Sequence, residues 1–134
     1  MTMKQNRRQT RKYAFQVLYA HEFYAEPDAV TYPEDDELSI DEAYAQSIID
    51  GVLKEKATLD EMIQLHSKTR KVEHLDKVDR TILRLAIWEI AVAQKPIEPS
   101  IAINEAVRLA KEFGSDNSYK LVNGILDGFV KGRA

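Results

Sequence analysis

Apolar residues recur every three or four positions along most of the chain, whereas no stretch alternates apolar and polar residues long enough to form a strand. The first periodic segment spans residues 4–24, is stopped by Pro27 and repeats its apolar positions at Ala14, Val17 and Leu18. His21 lies on the same side of this segment, where we expect it to be buried and hydrogen-bonded rather than catalytic. The pattern predicts an all-α protein.

Capping patterns predict where three later helices begin or end. Residues 39–42 and 58–61 are capping boxes, in which a Ser or Thr side chain and a Glu side chain satisfy free amides at a helix start. They predict the starts of a second helix and of a shorter third helix. A later helix is expected to begin at Pro99 or Ser100 and to end at Gly114 in a left-handed conformation.

The segment from 82 to 93 is apolar on nearly every side, with charges only at Arg84 and Glu89. A helix of this kind in a soluble chain is a buried one. We therefore place it at the centre, with the other helices packed around it, including a last helix that begins near residues 115–117. The prediction is a single compact helical bundle with a buried central helix, and a length of 134 residues suits one domain.

Charge is distributed unevenly, although the formal net charge is only -3. Residues 1–12 carry five cations and no acid, and residues 13–53 carry ten acids and no Lys or Arg. The acidic run at 34–37 is expected to lie in a polar loop that repels indiscriminate nucleic acid. The alternative is that both segments are simply solvated surface.

The sequence lacks the motifs that would support catalysis. It has no cysteine, its three histidines stand apart without a metal-ligand spacing, and no phosphate-binding or nucleophile motif occurs. We therefore expect no enzyme activity, no metal and no cofactor. No apolar run reaches the roughly 18–20 residues that span a bilayer, and no secretory signal is evident, which predicts a soluble cytoplasmic protein.

The cations near the start of the chain share one side of the first predicted helix, within an arc of about 140° at roughly 100° per residue. They are Lys4, Arg7, Arg8, Arg11 and Lys12. Phe15 and Tyr19 continue the same side. Proteins that bind single-stranded RNA use cations to contact phosphates and aromatic rings to stack on unpaired bases, so this strip predicts RNA binding. The alternative is that Phe15 packs on a neighbouring helix.

Five blocks spread along the chain resemble one known family, and the resemblance extends over nearly the whole chain. They are the Arg-rich residues 7–12 running into 14–19, then 78–89, Ile101-Ala-Ile-Asn-Glu-Ala-Val107, 110–114 and Ser118-Tyr-Lys-Leu-Val-Asn-Gly-Ile-Leu-Asp127. The sequence is similar in these blocks to the NusB transcription antitermination factors. The resemblance implies a single all-helical, RNA-binding domain over 1–134 that binds the boxA element of ribosomal RNA leader transcripts. It also implies a partner, the small-subunit ribosomal protein that doubles as NusE, within an RNA polymerase antitermination complex.

The resemblance also implies which residues form the two binding surfaces. The RNA surface would comprise Lys4, Arg7, Arg8, Arg11, Lys12, Tyr19, Ser118 and Lys120. The partner surface would comprise Asp79, Tyr119 and Leu121. The alternatives are helix capping for Asp79 and Ser118, and core packing for Leu121.

Two rival interpretations come from other classes of protein. A NusB-like domain also forms the N-terminal part of certain rRNA cytosine methyltransferases, but such an enzyme needs a further methyl-donor-binding domain, for which 134 residues leave no room. The second rival is a protein-only helical adaptor, in which the basic strip is incidental. A boxA-type single strand tested against a scrambled control would distinguish these interpretations.

Overall fold

A computed structural model describes residues 3–23 and 40–133, with side chains described from Arg7 onward. These residues form six α-helices and no strand, which confirms the all-α prediction. The helices are α1 (Met3–Ala20), α2 (Glu42–Lys54), α3 (Lys56–Gln64), α4 (Lys77–Ile87), α5 (Pro99–Phe113) and α6 (Ser118–Arg133). The acidic run at 34–37, Ser39 and the side chain of Lys4 lie outside the described residues, so the expectations placed on them stay predictions.

The predicted central helix lies at the centre of the fold. Helix α4 contacts α1, α3, α5 and α6, and it continues into one π-helical turn, Trp88–Val92. Every residue from 81 to 90 is buried. Burying an apolar helix on all sides is favourable because it removes its whole surface from water, which explains why the segment lacks a polar face.

Trp88 fits into this core only because position 51 has no side chain. A Cβ atom added at Gly51 in α2 would overlap the indole ring of Trp88. The tryptophan is 8% exposed and packs where α2 crosses the π-helical turn. The close approach of backbone and ring therefore requires glycine at this position.

Gly114 ends α5 as predicted, but the conformation predicted for it is wrong. Its φ of -92° and ψ of -174° are extended rather than left-handed. A Cβ atom at this position would overlap the side chain of Ser118, which receives a hydrogen bond from the Ser115 amide at 2.9 Å. Glycine is required here because the start of α6 packs tightly against the end of α5.

The capping box predicted at residues 58–61 does not place the start of α3 correctly. Asp41 caps α2 by accepting a hydrogen bond from the Tyr44 amide at 3.0 Å. Helix α3 begins at Lys56, so Thr58 lies inside it rather than at its start. The physical reason is that Glu55 alone separates the two helices: its amide donates to Gly51 in α2 and its carbonyl accepts from α3, so no side-chain cap is needed.

Helix α1 ends earlier than predicted, and a cluster of four charges, of which Arg84 is buried and the others are partly buried, follows its end. His21 lies half-buried in the following turn, so the prediction that it is buried is wrong. Glu22 accepts hydrogen bonds from Arg80 at 3.1 Å and Arg84 at 2.8 Å. Arg84 also donates to both carboxylate oxygens of Asp60, at 2.7 and 2.8 Å. These four charges join α1, α3 and α4, and we call them the closing cluster.

Two further findings concern expectations from composition. None of the described helices is long and apolar enough to cross a membrane. Within residues 3–23 and 40–133, no three acidic or histidine side chains gather in the way that a metal ion requires.

Candidate nucleic-acid interface

The cations predicted on one side of α1 occupy two different environments. Arg7, Arg8 and Lys12 are half-exposed, with 40%, 32% and 36% of their side chains accessible. Arg11 is 5% exposed and lies inside the protein. All four lie on neighbouring faces of α1, but the side chain of Arg11 is enclosed next to Glu89 of the π-helical turn and Tyr44 of α2.

Arg11 is held by a buried carboxylate. Its Nε and Nη2 donate to the two oxygens of Glu89 at 2.6 and 2.9 Å, and the Tyr44 hydroxyl donates to the same carboxylate at 2.5 Å. Burial opposes the charge of Arg11, but the hydrogen bonds and charge of Glu89 outweigh it, so its pKa is raised. Burial and Glu89 together also raise the pKa of Tyr44, which keeps its hydroxyl a neutral donor. Arg11 therefore anchors α1 to the π-helical turn instead of facing solvent.

Each half-exposed cation of α1 faces one carboxylate. Arg8 donates to Glu105 of α5 at 3.1 Å, and Lys12 lies 2.5 Å from Glu112 of the same helix. Arg7 Nη1 is 3.7 Å from Asp41, and the guanidinium lies 3.7 Å from the centre of the Tyr44 ring. We call Arg7, Arg8 and Lys12 with their three acids the open cluster.

Phe15 does not continue the cationic surface, so that expectation is wrong. The ring is 1% exposed and packs against Phe113 of α5 at 5.0 Å between centroids. Tyr19 is half-buried, with its ring centre 6.0 Å from Phe15 and 5.1 Å from Phe23. The alternative given above, packing on a neighbouring helix, is correct for Phe15.

Two of the predicted site residues, Asp79 at the start of α4 and Ser118 at the start of α6, come together. A hydrogen bond from the Ser118 hydroxyl reaches the carboxylate of Asp79, and both side chains are buried. Burial raises the pKa of Asp79, although this hydrogen bond works against the shift. The Oδ1 atom of Asp79 is buried without a hydrogen-bond partner among the described residues.

The other residues of this group are less buried. Tyr119 is half-buried, with the ammonium groups of Lys111 and Lys120 at 5.2 and 5.9 Å from the centre of its ring. Leu121 is half-buried against the core. Lys120 is exposed at the start of α6. These side chains form a surface of mixed character around the buried Asp79–Ser118 pair.

Sequence reasoning missed the contribution of α5 to this region. Arg108 is 57% exposed and lies 3.9 Å from Glu105, and Lys111 lies over Tyr119. Both cations lie on exposed positions of α5, three residues apart. The same helical wheel that grouped the cations of α1 would have grouped these two.

Comparison with known proteins gives a consistent result. The model of the NusB family matches residues 8–131. The transcription antitermination protein NusB of Bdellovibrio bacteriovorus is 44% identical over 124 residues, covering 90% of this chain and 92% of that protein. The NusB protein of Macrococcus caseolyticus is 36% identical over 138 residues, covering 96% of this chain and 99% of that protein.

Solved structures of similar fold cover the same length. T. maritima NusB has a TM-score of 0.80 and 33% identity, and the match covers 93% of this chain and 90% of that chain. A structure of antitermination factors NusB and NusE in complex with double-stranded RNA has a TM-score of 0.78 and 25% identity, with coverage of 98% and 99%.

Proposed function

We propose that this chain, which belongs to the NusB family, is a transcription antitermination factor that binds RNA through the open cluster at the start of α1. The RNA in the proposal is the boxA element of ribosomal RNA leader transcripts. The protein partner is NusE, and the two join an RNA polymerase antitermination complex. The proposed role is binding without catalysis, and its place is the cytoplasm, where transcription occurs in bacteria.

The half-exposed cations of the open cluster carry this proposal. Arg7 and Lys12 are paired with the accessible carboxylates of Asp41 and Glu112, whereas Arg8 is paired with the buried carboxylate of Glu105. Exposed ion pairs contribute only about 0–1 kcal/mol, because water and salt screen both charges. An RNA phosphate can therefore take the place of Asp41 or Glu112 at little energetic cost, and the displaced counterions add a favourable term. At Glu105, Arg11 and Arg108 remain within 4.0 Å when Arg8 turns to a phosphate.

Arg11 has a positioning role in this proposal. Its pairing with Glu89 fixes α1 against the core, with Tyr44 completing the hydrogen bonds of the same carboxylate. A fixed helix presents Arg8 and Lys12, on either side of Arg11, without further loss of backbone entropy on binding. The RNA-contacting set from α1 is thus Arg7, Arg8 and Lys12, with Lys4 and Tyr19 retained from the sequence prediction.

The surface around the start of α6 is the proposed site for NusE. Asp79 Oδ1 is a buried acceptor without a donor in the described part of the chain, which is a costly arrangement that a donor from a partner would relieve. Tyr119 and Leu121 beside it offer half-buried apolar area. Ser118 is hydrogen-bonded to Asp79, and Lys111 of α5 and Lys120 both lie over the Tyr119 ring, so the proposal places both ligands at the start of α6.

The salt dependence of RNA affinity tests the proposal. Each phosphate contact with a single strand contributes about -0.7 to the log–log slope of affinity against salt. Changing Arg7, Arg8 and Lys12 together to Ala should therefore flatten the slope for a boxA-type strand by about 2. Arg11 is left in place so that the fold is preserved.

A matched control removes three exposed cations elsewhere, Lys54, Lys68 and Lys131. It has the same net charge as the first variant but keeps the open cluster, so its slope should stay near that of the unmodified protein. Equal slopes for the two variants would contradict the assignment and favour a protein-only adaptor. A double-stranded RNA and a scrambled strand, titrated in parallel, report which form of RNA is preferred.

A further inference from the structure

A cavity of about 720 Å³ opens beside the open cluster, and apart from Arg7 none of the proposed phosphate-contacting cations in the described part of the chain lines it. It lies between the start of α1, α2, the π-helical turn and the start of α5. Its walls include Tyr44, Trp88, Ile97 and Ile101, with Arg7 at one side. The volume lies within the range of roughly 300–1,000 Å³ that is typical of sites for small organic groups.

The walls are aromatic and aliphatic, yet the cavity is open to water. Ile101 is 53% exposed at its rim, which is unusual for a large aliphatic side chain in this fold. Apolar surface that stays accessible beside a charged binding site marks a place where a ligand is received. The side of the cavity formed by Arg7 belongs at the same time to the open cluster.

Arg7 supplies the polar group in this wall. The guanidinium lies 3.7 Å from the centre of the Tyr44 ring, an arrangement that fixes its plane. Its Nη1 atom is buried and makes no hydrogen bond among the described residues, being 3.7 Å from Asp41. A buried donor without an acceptor is costly, and a ligand with a carbonyl oxygen would satisfy it.

We propose that one unpaired base of the bound RNA enters this cavity while its neighbouring phosphates contact the open cluster. The proposal rests on the function proposed above and identifies a part of the ligand that the cations alone do not select. The flat base fills the space between the aromatic and aliphatic walls. A keto oxygen of guanine or uracil accepts from Arg7 Nη1.

Charge favours a nucleotide over other occupants. A base that enters beside Arg7 keeps its phosphates next to the open cluster, to which Arg7 belongs, whereas an apolar side chain from a partner protein would leave the Arg7 donor unsatisfied. Unpaired bases, unlike those in a duplex, are free to turn out of the strand and stack on protein rings. The cavity therefore selects a single-stranded or looped segment.

The single tryptophan of the chain reports on the cavity directly, because Trp88 lines it. We would titrate boxA-type strands that each lack one base and follow both affinity and Trp88 fluorescence. One abasic position should lose the quenching of Trp88 and weaken binding roughly 5- to 150-fold, the range for loss of one stacked base. At that position adenine, which has no keto oxygen, should bind more weakly than guanine or uracil.

A cavity-filling variant makes the test independent of the RNA chemistry. Ala93 lines the cavity and has an extended backbone that accepts a larger residue, so Ala93→Phe should reduce the affinity for intact RNA to that for the abasic strand. Removing the base should then have no further effect, while the salt slope stays unchanged because every cation remains. Ala57→Phe, on an exposed position of α3, is the matched control and should bind normally.

The outcomes separate this proposal from the one on which it rests. Steep salt dependence with no abasic position affecting Trp88 overturns the base site and leaves the RNA-binding function standing. Quenching of Trp88 by NusE instead of RNA assigns the cavity to protein and also overturns the base site. A complete lack of RNA binding overturns both proposals.

Discussion

Helix α1 carries a charge cluster at each end, and the two clusters differ in how completely their members are enclosed. In the closing cluster, three of the four side chains are only 8–11% exposed, Asp60 is 31% exposed, and Arg84 is shared between two carboxylates. In the open cluster, the three cations are 32–40% exposed and two of their three acids are also accessible, Glu105 being the enclosed one. The same residue types therefore have different roles. The enclosed cluster stabilises the fold, whereas the cations of the exposed cluster can exchange their partners.

The energetic difference follows from desolvation. A buried ion pair gains little over a hydrophobic replacement, but the loss of one partner strands the other charge in a medium that cannot solvate it. An exposed pair loses a partner cheaply because water replaces it. The most direct test of this difference is to remove one arginine from each cluster and to compare the resulting losses in the free energy of unfolding.

The largest effect is expected from Arg84→Ala, which leaves Glu22 and Asp60 without their shared partner. Breaking a buried pair from one side costs about 3–5 kcal/mol, and we expect a loss of this size in the free energy of unfolding. Urea denaturation measures it. Arg8→Ala should cost clearly less, since Arg8 is half-exposed and its buried partner Glu105 keeps Arg11 at 4.0 Å and Arg108 at 3.9 Å. Equal losses for the two variants would show that enclosure does not distinguish the clusters.

Acid should weaken the closing cluster in a predictable direction. Burial opposes the charge of Glu22, but Arg84 and Arg80 favour it more strongly, so its pKa is lowered on folding. Stability from a lowered carboxyl pKa is present above the unfolded value, roughly 4.3, and is lost as pH falls through the folded value. The difference in unfolding free energy between the unmodified protein and Glu22→Gln should therefore shrink between pH 7 and pH 3.

The control for this acid titration is the exposed Glu61 of α3. Glu61→Gln should follow the unmodified protein across the same pH range. A constant difference for Glu22→Gln at all pH values would mean that the ion pairs of Glu22 contribute nothing to stability.

The smallest effect sharpens the description of the open cluster. Glu112→Gln frees Lys12 for a phosphate, and since an exposed pair is worth up to about 1 kcal/mol, RNA affinity at low salt should rise by up to roughly fivefold. Asp127→Asn breaks a similarly exposed pair with Lys131 on α6, away from α1, and should leave RNA affinity unchanged. Both variants should melt like the unmodified protein. A rise for both would point to net charge alone.

The sequence predicted the fold better than the environment of individual side chains. Periodicity and the nearly uncharged segment at 82–93 sufficed for an all-α bundle with α4 at its centre, because burial on all sides removes the need for a polar face. The wheel of α1 grouped the cations on one side of the helix. It did not reveal that Glu89, 78 residues further on, would draw Arg11 into the core.

The errors at helix ends have a related cause. A capping box describes a helix that starts from a free chain, whereas α3 follows α2 after a single residue, Glu55. The glycine at position 114 was correctly read as a terminator, but its reason is a neighbouring helix, not its own dihedral angles. Local sequence patterns thus predicted that a helix ends at Gly114, but contacts with neighbouring helices determine the backbone conformation of that end.

The close fit of Gly51 and Trp88 has a consequence for how this sequence can change over generations. Any side chain at position 51 collides with the indole, so a substitution there is tolerated only after position 88 has become smaller. The reverse order is open, since a smaller ring at 88 leaves a void, which is a milder defect than an overlap of atoms. The two positions therefore form an epistatic pair with a preferred order of mutation, in which Trp88 has to change before Gly51 can.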